Sequence, residues 1–268
     1  MTASAVVQQQ INPDSGVMAR MVDETNINLS HSRTRTRKIV EEFVYCLFRG
    51  ENVMPILHYA PLSPPCRSVL LLGRILNIGF DLRVVDVLKG DNMKSEFIEI
   101  NPQHTIPTLE DHGLILWESR VILSYLVAAY SKDDILYPSD IRMRAIVDQR
   151  LQFDLSTLAA RTGDYFFSAL FTGVLDDTKK TKLIEALGFF EMMLKGRTWA
   201  AVNNFTIADL ALTITVAQLV SLRFDLEPFS RIRTWLERCK EFLQPHGYDE
   251  IQKGSDDLAD LFREKLNL

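Results

Sequence analysis

Residues Ile56–Leu72 read I-L-H-Y-A-P-L-S-P-P-C-R-S-V-L-L-L, and this stretch decides the fold. An apolar, β-forming run ends at Ala60. Two prolines follow Ser63, and helical spacing begins near Cys66, with apolar residues at 66, 69, 70, 72, 75 and 76. Proline fits the first turn of a helix, where its missing N–H would be unpaired anyway. The pattern therefore predicts a strand over 55–60, a loop, and a helix over 66–76 that stops at Gly79. One hydroxyl, that of Ser63, stands where the helix begins. It reads either as a turn residue or as a donor which, beside about half a positive charge at the helix end, helps hold an anion such as a thiolate.

Outward from this stretch, Phe80–Val87 partly alternates and reads as a strand. Pro107–Leu109 and Leu114–Trp117 flank Glu110-Asp-His-Gly113 as a hairpin, and Glu118–Tyr130 is helical with Val121, Ile122, Tyr125 and Leu126 on one face. After Tyr137-Pro138 the strand signals stop. Helices are predicted over 142–161, 165–174, 179–194, 206–222 and 231–243. The order describes an α/β layer over 54–134 and an all-α domain over 139–268, with the boundary in 131–139.

Composition narrows the function. The 268 residues are 47% apolar and 24% charged with a net charge of -5, so the chain lacks the basic excess of a nucleic-acid binder. No apolar run reaches the ~18 residues a membrane span needs. Cys46, Cys66 and Cys239 are odd in number and far apart, which gives neither a disulfide framework nor metal-ligand spacing and fits a reducing, cytoplasmic setting. Residues 1–53 are set apart: a polar lead, then Arg33-Thr-Arg-Thr-Arg-Lys38, then the apolar Ile39–Phe48. With six basic and six acidic residues this extension is no polybasic arm, and it lacks the build of a secretory signal. It reads as a disordered or partly helical extension, or as a sorting or partner-binding arm.

Three further stretches carry chemistry. Ser63-Pro-Pro-Cys66 lacks the first thiol of a C-x-x-C redox motif, so Cys66 reads as packing. No G-x-S-x-G elbow is present. In Asn101-Pro-Gln-His-Thr-Ile-Pro107-Thr-Leu109, the Ile106–Pro107 bond is a candidate cis peptide, which would turn the Ile106 N–H and C=O outward to pair with a peptide ligand. His104 in that loop reads as an ordinary surface histidine or as a partner for a carboxylate. Trp117-Glu118-Ser119-Arg120 opens a helix; Glu118 and Ser119 read as caps, or as receivers of the ammonium and carboxylate of an amino acid.

In this order and spacing, S-P-P-C-R, N-P-Q-H-T-I-P-T-L and W-E-S-R, ahead of an all-α domain, resemble cytosolic glutathione transferases, closest to the insect delta and epsilon classes. Thr206-Ile-Ala-Asp209 resembles the family's helix-capping box, a structural feature. The resemblance implies a thioredoxin-like N-terminal domain, glutathione as cosubstrate, no metal, and a homodimer. It implies that Ser63 donates to the glutathione sulfur and Ile106, ahead of Pro107, pairs with the cysteinyl part. Glu118 and Ser119, with Arg120 nearby, would hold the γ-glutamyl end, and His104 the glycine end. These classes carry a second histidine before the N-P-Q motif, where this chain has Asn92, with Lys94 close by. Tyr59, inside the first strand, reads as packing. Leu62, Leu158, Thr162, Phe166, Phe167, Leu170, Phe171 and Phe224 would wall an apolar pocket facing Ser63. The implied activity is conjugation of glutathione to hydrophobic electrophiles in detoxification, with peroxide reduction as a further reaction. The alternative is a transferase-fold binding protein for apolar ligands such as steroids, with low turnover.

Overall fold

A computed structural model describes residues 54–266; the expectations for residues 1–53 fall outside the described residues. Strand β1, Ile56–Tyr59, is followed by helix α1, Pro64–Ile75, and strand β2, Asp81–Val84. The prolines are the first two residues of α1, so the helix begins two residues ahead of its apolar periodicity, with Ser63 at the N-cap. It does not stop at Gly79. Asn77 takes the left-handed conformation (φ 55°), its N–H bonds Arg74 O (3.2 Å), and Ile78 N–H reaches back to Gly73 O (2.8 Å). That pair of bonds is a Schellman closure with asparagine in glycine's usual place.

A 3-10 turn, Asp91–Met93, and helix α2, Ser95–Ile100, lead to strands β3, Thr108–Asp111, and β4, Leu114–Trp117. Their turn is His112-Gly113, both at positive φ (46° and 80°) as a two-residue hairpin demands. The sheet order is β2-β1-β3-β4, with β1 parallel to β2 and antiparallel to β3. Leu57 pairs with Leu82 and Leu109 at its centre. Alternation sends Leu57 into the core and turns its neighbour His58 to the other face, where it meets the Phe97 ring of α2 edge-on at 5.6 Å. Helix α3, Ser119–Tyr130, packs beside α1 through Ile122, Leu123, Leu126 and Val127.

The rest is helical: α4 (Ile141–Phe153), α5 (Ala160–Thr172), α6 (Asp177–Met193), α7 (Ile207–Ser221), α8 (Ser230–Leu243) and α9 (Tyr248–Leu266). The helix expected to end at Arg161 instead runs into α5 through a π-helical segment, Asp154–Ala159. Such wider turns are frequent at functional sites. Helix α7 is buried on every side from Ile207 to Leu219, as a helix apolar all round must be. Its start carries the predicted reciprocal cap. Asp209 accepts from Thr206 N–H (3.1 Å), Thr206 Oγ1 (3.0 Å), Ala200 N–H (2.7 Å) and Trp235 Nε1 (2.9 Å).

Helix α9 was not foreseen, and it matters most for the site. Gly254 sits in its middle, where an added Cβ would lie 2.1 Å from Pro61 O, in the loop before Ser63. Only glycine permits that approach. The buried Arg67, one turn into α1, ties the junction by donating to Gln218 Oε1 of α7 (2.5 Å) and Gln252 Oε1 of α9 (3.1 Å). Burial pushes its guanidinium down to about 10. No helix of the described residues is long and apolar enough to cross a membrane.

Candidate active site

Between the α/β layer and the helices lies a cavity of about 530 Å³. The sheet side gives Leu62, Ser63, Ile106 and Arg120; α5 gives Thr162, Phe166, Phe167 and Phe171; α7 and α9 give Thr215, Gln218 and Phe262. Of the expected apolar wall, Leu62, Thr162, Phe166, Phe167, Leu170 and Phe171 therefore stand together. Leu158 does not join them, because it points into the core and is fully buried. Phe224 lines a different cavity, on the far side of Phe166 and Phe262.

The polar lining separates Ser63 from the rest. Ser68 Oγ donates to Pro65 O (2.8 Å), and Thr162 Oγ1 to Leu158 O (2.8 Å). Thr215 Oγ1 donates to Asp154 Oδ1 (2.7 Å), Gln218 is held by Arg67 and Ser255, and Arg120 is bound to Asp154 and Ser119. Ser63 alone has no oxygen or nitrogen partner for its hydroxyl among the described residues; its one side-chain hydrogen bond is with the Cys66 sulfur, a weak partner. Its hydroxyl does not cap α1, although its backbone is pinned by N–H to Ala60 O (3.0 Å) and by Arg67 N–H on its carbonyl (3.1 Å). The neighbour of that hydroxyl is the Cys66 thiol, which burial pushes up to about 11 against a smaller lowering by Ser63. Cys66 is thus a buried thiol at neutral pH and packs as expected. Pro64 and Pro65 carry no N–H and Ser63's own is spent, so this helix start offers fewer donors than an ordinary one.

The Ile106–Pro107 bond is cis. Pro107 is buried, and the loop is fastened by the fully buried Asn101. Its Nδ2 reaches Thr105 O (3.0 Å) and Thr108 Oγ1 (2.9 Å), and its Oδ1 accepts from Gln103 N–H (2.9 Å). Asn92 Nδ2 donates to His104 O (3.0 Å), so the two residues expected at one end of a ligand are neighbours. Asn92 Oδ1 is buried with no partner among the described residues. Lys94 is held instead by Asp91 at 2.7 Å.

Glu118 is exposed and precedes α3 with φ 71° and ψ 100°, a conformation costing on the order of 1–3 kcal/mol for a residue with a side chain. Ser119 beside it is buried, and its Oγ accepts from Arg120 Nη1 (2.8 Å). Arg120 Nε donates to Asp154 Oδ2 (3.0 Å), with a second contact from Nη2, while Thr215 holds the other oxygen. This chain of bonds joins the first turn of α3 to the π-helical segment and to α7. Sequence reasoning missed Asp154 and Thr215, because nothing local marks a partner 34 residues away. It missed Phe262 because α9 was not foreseen, although 258, 261 and 262 carry helical apolar spacing. Among the described residues no cluster of three metal-ligating side chains occurs.

A four-stranded α/β layer with a cis proline at its edge and a helical domain closing an apolar cavity over a hydroxyl held only by a buried thiol is the build of a thiol-binding transferase. Sequence models for the glutathione S-transferase N-terminal domain and C-terminal domain match residues 57–134 and 172–241, and the chain belongs to the glutathione S-transferase family. It is 58% identical over 214 residues to glutathione S-transferase D7 of Anopheles gambiae, covering 79% of this chain and 98% of that one. A solved glutathione transferase of Bombyx mori superposes with a TM-score of 0.76 at 44% identity, covering 78% of this chain and 98% of the other. A delta-class glutathione transferase of Nilaparvata lugens gives 0.75 at 38% identity over 79% and 99%.

Proposed function

We propose that this protein conjugates the thiol of reduced glutathione to hydrophobic electrophiles, with Ser63 as the donor that stabilises the thiolate. The observation that carries this reading is the Ser63 hydroxyl, engaged only by the weakly bonding Cys66 sulfur, on the floor of a largely apolar cavity whose other polar side chains bond oxygen or nitrogen groups of the protein. A free thiol with pKa near ~8.5 is only a few per cent thiolate at pH 7. Lowering it by ~2 units needs ~2.7 kcal/mol of preferential anion stabilisation, at ~1.36 kcal/mol per unit. One hydrogen bond to a charged sulfur supplies ~1.5–3 kcal/mol and the helix end ~0.3–1. With few N–H groups at this helix start, the hydroxyl carries the larger share. The thiolate then attacks the electrophilic carbon, forming the C–S bond as the leaving group departs with its electron pair.

In this account the Ile106 backbone beside Pro107 pairs with the cysteinyl unit. Ser119 receives the γ-glutamyl carboxylate with Arg120 fixing its hydroxyl, and exposed Glu118 takes the ammonium. The glycine end meets His104 and Asn92, whose buried Oδ1 lacks a donor. The electrophile lies among Leu62, Thr162, Phe166, Phe167 and Phe171. Leu158 and Phe224 are left out, for the reasons of position given above. A division at 54–134 and 139–268, a homodimer and a cytoplasmic location accompany the reading. The binding-protein alternative gains no support, since among the described residues nothing covers Ser63 on its cavity side.

The test is conjugation of 1-chloro-2,4-dinitrobenzene by the full chain. Turnover saturating in glutathione is expected, with kcat/KM at pH 6.5 falling about 10- to 100-fold in Ser63→Ala, from a bond of ~1.5–3 kcal/mol. Absence of turnover in the wild type, or an unchanged rate in the variant, overturns the proposal.

A further inference from the structure

The segment that follows β2 and leads towards Ile106 is short of free positive charge. Residues 86–100 carry four carboxylates, Asp86, Asp91, Glu96 and Glu99, against two ammonium groups, Lys89 and Lys94. Both lysines are spent within the segment. Lys89 Nζ lies 2.8 Å from Asp86 Oδ2, and Lys94 Nζ lies 2.7 Å from Asp91 Oδ1. The hydrogen bond in each pair raises the lysine pKa and lowers that of the aspartate, so all four charges persist through the neutral range. The backbone locks the two aspartates in place. Asp86 Oδ1 accepts from Leu88 N–H (3.1 Å) and Lys89 N–H (3.2 Å), and Asp91 Oδ2 accepts from Asp86 N–H (3.1 Å). Glu96 takes only the Ser95 hydroxyl (3.2 Å), which carries no charge. The segment therefore keeps an excess of two negative charges.

The groups that face the C-terminal end of the thiol peptide do not offset it. Asn92 is neutral, and its bond to His104 O (3.0 Å) fixes which end of the amide is nitrogen. Its Oδ1 is buried without a donor among the described residues, and a carboxylate beside it would bring acceptor against acceptor. The exposed His104 ring and one Asn92 N–H remain as donors, with no free lysine or arginine among residues 86–106. The opposite end of the peptide is built differently, because the Ser119 hydroxyl is backed by Arg120 Nη1 (2.8 Å).

We propose that this protein does not select for the C-terminal carboxylate of its thiol cosubstrate, and that γ-glutamylcysteinyl thiols with a capped C-terminal carboxyl, as an amide or an ester, serve it at least as well as glutathione. The inference rests on the conjugation reading, since it names the class of thiol used at that same site. The surplus negative charge on residues 86–100 opposes a carboxylate arriving beside them and leaves a neutral cap untouched. These carboxylates are exposed, so salt screens the repulsion, with a Debye length of ~30 Å at 0.01 M and ~10 Å at 0.1 M.

Initial rates of 1-chloro-2,4-dinitrobenzene conjugation by the full chain, with glutathione and with its glycine monoethyl ester, test this at about 10 and about 200 mM NaCl. At low salt, kcat/KM for the ester is equal to or above that for glutathione. Raising the salt lowers KM for glutathione about two- to threefold and leaves KM for the ester in place. Glu96→Gln/Glu99→Gln, a change confined to the surface of α2, reproduces the effect of salt on glutathione without added salt. Asn92→Lys lowers KM for glutathione about tenfold more than KM for the ester. A kcat/KM for glutathione more than threefold above that for the ester at low salt overturns the proposal. So does a KM for glutathione that rises with salt, since that marks attraction to a cation. Absence of turnover with both thiols instead overturns the conjugation reading on which the proposal stands.

Discussion

Replacing Asp154 by Ala should both destabilise the protein and loosen its hold on glutathione, because one carboxylate joins three elements. Its side chain is fully buried and that of Arg120 is 11% exposed, so the pair sits where water cannot compensate a broken contact. Oδ2 takes Arg120 Nε (3.0 Å) and Nη2, while Oδ1 takes Thr215 Oγ1 (2.7 Å). Removing one member of a buried pair leaves the other charge unpaired, at about 3–5 kcal/mol. For a domain of this size that is a fall in Tm of about 6–20 °C, at ~2–4 °C per kcal/mol. Freed from Asp154, Arg120 no longer fixes Ser119 Oγ, so KM for glutathione rises several-fold while KM for the electrophile barely moves. The assay is thermal unfolding of Asp154→Ala, Arg120→Met and the double variant, with kinetics in parallel. The double variant should cost well under the sum of the singles, since it leaves no orphaned charge. Additive losses, or a loss below about 1 kcal/mol in Asp154→Ala, would refute the reasoning.

Gly254→Ala, which in an ordinary helix interior stabilises by about 0.5–1 kcal/mol, should here destabilise and impair turnover, because the new Cβ meets Pro61 O at 2.1 Å and pushes α9 off the loop that carries Ser63; chemical denaturation gives the sign. The Cys66 thiol, raised from 9.0 to about 11, keeps its proton in the folded state while the unfolded chain loses it, so stability falls as pH rises between those values. The fall approaches about 2.7 kcal/mol above pH 11, at ~1.36 kcal/mol per unit, and urea titrations should show this alkaline limb flattened in Cys66→Ala. Phe167→Ala should raise KM for an apolar electrophile several-fold and leave KM for glutathione unchanged, as initial rates with both substrates varied would report.

Local patterns carried the fold a long way. The strand ending at Tyr59, the prolines opening α1, the His112-Gly113 turn and the Thr206–Asp209 cap are fixed by short-range geometry and stand where the residues put them. What escaped was decided by packing. The helix at 141–172 continues through a π-helical segment because Asp154 must meet Arg120 and Thr215, a requirement no local spacing expresses. Helix α9 holds Gly254 and Ser255, poor helix formers that weaken its local signal; the close approach to Pro61 explains the glycine. For the site, the helical spacing of Thr162, Phe166, Phe167 and Phe171 picked out the face of α5 that lines the cavity. It could not tell that Leu158, one turn earlier, points into the core, or that Phe224 belongs to the second cavity.

The central claim is that Ser63 holds the glutathione sulfur as a thiolate, and the most direct measurement is the ultraviolet thiolate absorbance of the glutathione complex followed against pH. The wild type should titrate near ~6.5, two units below the free thiol at ~8.5. Ser63→Ala should move that midpoint up by about 1.1–2.2 units, the loss of a ~1.5–3 kcal/mol bond at ~1.36 kcal/mol per unit. A midpoint that stays put in the alanine variant would contradict the account and assign the thiolate to another donor.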